Sequence, residues 1–72
     1  MKTITIGNAN AEGYNVVGQF ENMPQAVQRL AERDIEIVVA SEKFLKMYDA
    51  DEMEILKGTF GRYGARLERE EV

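Results

Sequence analysis

Histidine and cysteine are both absent from these 72 residues. Without histidine the chain lacks the side chain that most often serves as a general base near neutral pH, and a common zinc ligand. Without cysteine it has no thiol nucleophile, no thiolate ligand and no disulfide. Long apolar runs are missing too. The longest is Ile37-Val38-Val39-Ala40, far short of a membrane span, and the N-terminus carries no signal-peptide core. Read as complete from Met1, the chain is expected to be cytoplasmic, with no cofactor, no metal and no membrane partner.

What is present is ordinary for a folded protein: 44% hydrophobic and 31% charged residues. The length allows one small domain, residues 1–72, which buries about 60% of its unfolded surface. With disulfides and metals set aside, good packing and self-association are the remaining sources of stability. The net charge is −4. Residues 1–20 hold one Lys and one Glu, so the acidic excess accumulates from Glu21 onward. That balance disfavours direct nucleic-acid binding and favours a basic partner.

Lys2-Thr3-Ile4-Thr5-Ile6 alternates with period two and predicts a first strand. Gly7 to Gly13 is small and polar, a connecting loop, and Tyr14 to Phe20 alternates again as a second strand with a weak point or bulge at Gly18. Met23, Ala26, Val27, Leu30 and Ala31 form one apolar stripe at helical spacing, capped by Asn22 and ending near Arg33. Ile35 to Ala40 predicts a central third strand, with Ile35, Ile37 and Val39 facing one way. Ser41 caps a short turn holding Phe44, Leu45 and Tyr48. Asp49 with Glu52 has capping-box spacing ahead of a helix carrying Met53, Leu56, Phe60 and Tyr63. Gly64 ends it, Ala65 and Leu67 mark a last strand, and Arg69 to Val72 form a charged tail expected to be frayed or an exposed edge. The expected fold is α+β, in the order β-β-α-β-(short α)-α-β. It is a two-layer sandwich with a mostly antiparallel four-stranded sheet and two main helices on one face.

Four stretches invite a chemical reading. Asp49, Asp51, Glu52 and Glu54 cluster as a cation site would. A calcium loop counted from Asp49 needs glycine sixth and a carboxylate twelfth, where Glu54 and Phe60 stand, so capping explains these acids. Lys57 to Gly64 mixes basic, aromatic and glycine residues. However, Phe60 and Tyr63 share a face only on a helix, which reads as core and leaves RNA binding through Lys57, Arg62 and Tyr63 as a lesser alternative. Gly7 to Gly13 lacks the ending of a phosphate loop and leads into a strand, so a long hairpin loop is expected, its Asn8 and Asn10 open to a partner. Ser41 has no histidine to activate it. Catalysis is not expected.

From Asp49 to Glu68 the chain resembles the end of the ribosomal stalk protein's C-terminal domain. The shared elements are an acidic cap, Ile55-Leu56-Lys57 in a helix, then Gly64-Ala65 and Leu67-Glu68. The family's lysine- and glycine-rich helix start is replaced by Glu21-Asn22-Met23-Pro24. The resemblance covers about twenty residues of a helix-to-strand junction and implies only a small sheet-and-helix layer. Function is therefore expected from surface contact. The expectation is an acidic protein-binding inhibitor or adaptor of the kind phages encode against bacterial defence, such as anti-CRISPR proteins, with a basic nucleic-acid-handling partner. The candidate contacts are Asn8, Asn10, Glu12, Glu21, Glu32, Asp49, Asp51, Glu52 and Glu54. The alternative is a self-associating module, a homodimer formed through an open sheet face or edge at Val17, Val38 and Ala40.

Overall fold

In a computed structural model, which describes residues 1–71, the chain forms β1 (Lys2–Ile6), β2 (Asn15–Phe20), α1 (Met23–Leu30), β3 (Ile37–Ala40), α2 (Glu42–Leu45), α3 (Ala50–Arg62) and β4 (Arg66–Arg69). Val72, the end of the expected tail, lies outside the described residues. Side chains set the helix starts. Asn22 accepts from the Gln25 amide at 3.1 Å, Ser41 Oγ from the Phe44 amide at 3.1 Å, and Asp49 exchanges bonds with Glu52 in a complete capping box. α1 stops short of Arg33, which turns the chain with φ 61°, and Gly64 with φ 78° closes off α3.

The sheet has the order β2-β1-β3-β4, and every neighbouring pair is parallel. This corrects the expectation of a mostly antiparallel sheet and of a hairpin between the first two strands. Parallel neighbours ordinarily need a crossover of a dozen or more residues. Here residues 7–14 make it without a helix, bending at Gly7 and Asn8 and turning again at Gly13, where the Tyr14 amide donates to the Ala11 carbonyl at 3.0 Å. So short a connection suffices because β1 is only five residues long.

Strand order also fixes which face each connection covers. The steps from β2 to β3 and from β3 to β4 go the same way across the sheet, so right-handed crossovers put α1 and α3 on one face. The step from β1 to β2 goes the other way, so its connection belongs on the reverse face. On the helical face Ile4, Ile6, Val38 and Ala40 join Ala26, Leu30, Phe44, Leu45, Leu56 and Phe60 in one core. Each large apolar side chain there contributes about 1.5–3 kcal/mol by leaving water. On the reverse face Thr3, Thr5, Ile37 and Val39 are buried, and among the described residues no helix lies over them.

What lies there is the 7–14 segment, a strap. The Tyr14 hydroxyl donates to Glu68 Oε1 at 2.6 Å and the Asn10 amide to Glu70 Oε1 at 2.9 Å. Both acceptors belong to β4 or follow it, at the far edge from β2. Both faces are therefore covered, as parallel sheets require. Val38 and Ala40 cannot form an open dimer face, because both lie fully buried in the helical core. Val17 alone of that trio stays open, at 42% exposure.

Candidate functional site

Because all four strands run the same way, the residues that follow them gather at one end of the sheet. Gly7 and Asn8 follow β1, Glu21 follows β2 and Ser41 follows β3. With Lys43, Phe44 and Met47 they line a crevice of about 300 Å³. It lies where the outgoing connections diverge, between β1 and β3, the point at which open parallel sheets leave room for contacts. Gly7 is required there. Its φ is +73°, and a Cβ on it would stand 2.6 Å from Ser41 Oγ and 2.8 Å from the Phe44 Cβ. Asn8 follows with φ 57°, also left-handed.

α1 starts and α3 starts at this same end, since each runs back along the sheet. Between them lies a second depression of about 260 Å³, lined by Met23, Tyr48, Glu52, Ile55, Leu56 and Thr59. The rings of Phe44 and Tyr48, 5.1 Å apart and tilted by 53°, join the floor of the crevice to the wall of this groove. Two large apolar side chains stand out beside them: Met47 at 64% and Ile55 at 70% exposure. Asp51 and Glu52 precede Ile55 by four and three positions, so they rise on its side of the helix.

Charge is distributed unevenly between the two ends. At the opposite end Arg29 grips Asp34 through two hydrogen bonds, of 2.5 and 3.1 Å, and also pairs with Glu32, while Lys2 reaches Asp34 at 3.2 Å. The guanidinium beside it holds the Asp34 carboxyl well below the usual carboxylate range. Those charges neutralise one another. Glu21, Asp49, Asp51, Glu52 and Glu54 take part in no ion pair among the described residues. Among the described residues no three acidic side chains converge as metal ligands would.

The candidate contacts thus separate. Asn8 and Glu21 meet in the crevice, and Asp49, Asp51, Glu52 and Glu54 begin α3 beside the groove. Asn10 is engaged within the molecule, its amide to Glu70 and its side chain to the Glu71 carbonyl at 3.2 Å, and the Glu12 amide donates to Asn10 Oδ1. Glu32 is bound to Arg29 on the far side of α1. Tyr63, named for RNA stacking, packs against the core with the Arg33 guanidinium 5.6 Å from its ring centre, which occupies the face a base would need. Ile55 and Met47 were not among the expected contacts. For Ile55 the available signal is its place in α3, off the stripe of Met53, Leu56 and Phe60 that faces the core.

Among the described residues no helix is long and apolar enough to cross a membrane. In comparison with known proteins, no family model, no curated protein and no solved structure matches this chain.

Proposed function

We propose that this protein is a binding module, an inhibitor or adaptor that works in the cytoplasm by docking a basic, amphipathic segment of a partner protein. The groove between α1 and α3 receives the apolar side of that segment, and the start of α3 receives its Lys and Arg side chains. One observation carries the reading. The exposed Ile55 adjoins a groove walled by Met23, Tyr48 and Leu56, and the acids beside it take part in no ion pair among the described residues. A helix lying in such a groove is held by a few apolar anchors, with the surrounding charges setting orientation and rate of encounter.

A synthetic amphipathic helix of leucine and lysine is the probe. Titrated calorimetrically, it is expected to bind the wild-type chain and to weaken as salt is raised from about 50 to about 500 mM. Ile55→Ser should reduce affinity at least about tenfold, as loss of a central anchor does. Equal binding to the Ile55→Ser variant, or binding indifferent to salt, contradicts the proposal.

A further inference from the structure

The crevice of about 300 Å³ between the outgoing connections of β1 and β3 takes no part in docking at Ile55. Its size lies at the lower end of what small-molecule sites offer, and open parallel sheets bind ligands at this end. The lining is chemically mixed. Phe44, 4% exposed, is an apolar floor and Met47 an apolar rim. Lys43 and Glu21 supply one charge of each sign, and neither takes part in an ion pair among the described residues.

Ser41 adds a donor. The residue is 4% exposed, and its Oγ accepts from the Phe44 amide at 3.1 Å. A hydroxyl also has a proton to give. Among the described residues that proton has no acceptor. Ser41 belongs to the lining of the crevice, so an acceptor seated there completes the hydroxyl's bonding. A Cβ on Gly7 would stand 2.6 Å from this oxygen, so a side chain at that position would fill the space over it. An anion alone would meet the Glu21 carboxylate in this crevice, and a cation alone would meet the Lys43 ammonium. A zwitterion meets each with the matching sign. We infer that the crevice binds a free α-amino acid with an apolar side chain. Its carboxylate accepts from Ser41 Oγ and pairs with Lys43, its ammonium pairs with Glu21, and its side chain lies against Phe44 and Met47. The inference is independent of the groove at Ile55, whose border is acidic only.

L-Leucine is the probe, titrated into the full chain while amide chemical shifts are followed. Saturable shifts are expected at Gly7, Glu21, Ser41 and Phe44. Isocaproate, which lacks the ammonium, and isopentylamine, which lacks the carboxylate, should each bind at least about tenfold more weakly. Lys43→Gln and Glu21→Gln, both at exposed positions, should each weaken leucine binding at least about threefold while the thermal melt stays in place. Ile55→Ser should leave leucine binding unchanged. Absence of saturable shifts up to about 20 mM leucine overturns the inference. So does equal binding of either analogue, or indifference to either charge substitution. Failure of this test leaves peptide binding at Ile55 unaffected, and the reverse also holds.

Discussion

Asn10 and Glu70 stand 60 positions apart in sequence, and the amide of the first donates to Oε1 of the second at 2.9 Å. The other oxygen of Glu70 accepts from the Glu42 amide at 2.7 Å. A single carboxylate thus pins the strap across the reverse face and ties it to the beginning of α2, beside the crevice. Together with Tyr14 and Glu68, it holds closed the short connection that makes β1 and β2 parallel.

Replacing that carboxylate should loosen the strap without unfolding the sheet. In Glu70→Ala the Asn10 and Glu42 amides are expected to exchange with deuterium markedly faster, while Ile4 and Val38 amides in the central strands keep their protection. Unchanged exchange at Asn10 would remove Glu70 from this role.

The same contacts give the molecule a definite pH dependence. Amide donors from Asn10 and Glu42 lower the Glu70 pKa from its ordinary 4.5, and the Tyr14 hydroxyl with Arg66 lowers that of Glu68. A lowered folded-state pKa means a contribution present above about pH 4.5 and lost as pH falls through the folded value. Tyr14 is shifted upward from 10.0 by its bond to Glu68. Its contribution is whole below about pH 10 and lost as pH rises further. Thermal melts should therefore show a plateau between these limits, a fall on the acid side and a second fall on the alkaline side. In Tyr14→Phe the alkaline fall should shrink.

Thr3 is fully buried beneath the strap, and its hydroxyl oxygen has no hydrogen-bond partner among the described residues. A buried hydroxyl in that position costs stability, and an isosteric apolar side chain avoids the cost. Thr3→Val should raise unfolding free energy by about 1 kcal/mol in urea titrations, with the slope unchanged. A destabilised variant would mean that the hydroxyl is bonded after all.

Two glycines should answer alanine in opposite ways. Gly58, mid-helix in α3, has nothing within 4 Å of an added Cβ, so Gly58→Ala should stabilise by about 0.5–1 kcal/mol. Gly7 combines positive φ with contact against Ser41 and Phe44, so Gly7→Ala should cost about 2 kcal/mol or more. Chemical denaturation of the two variants side by side checks both signs.

Much of this architecture is legible in the sequence. The stripe from Met23 to Leu30, the caps at Asn22 and Ser41, and the Asp49–Glu52 box are local signals, and local bonds realise them. Strand direction is different in kind. Alternation in Lys2–Ile6 and Asn15–Phe20 is the same for parallel and antiparallel pairing. The eight residues between them have the length and composition of a hairpin loop. The distant partners Glu68, Glu70 and Glu71 make that segment a strap. The polar side of β1, Thr3 and Thr5, reads as solvent-facing for the same reason, because the strap that buries it carries no hydrophobic pattern. Acids at the start of α3 are visible as caps. The docking role proposed for them depends on Ile55 and Met47, whose exposure is a matter of tertiary packing that no local pattern announces.

Amide chemical-shift mapping with the leucine–lysine peptide decides whether the α1–α3 groove, with its acidic border, receives a basic amphipathic segment. Shifts are expected at Met23, Tyr48, Asp51, Glu52, Ile55 and Thr59, with Lys2, Asp34 and the strap unmoved. Shifts centred on the strap or on β2, or none at saturating peptide, rule the docking groove out.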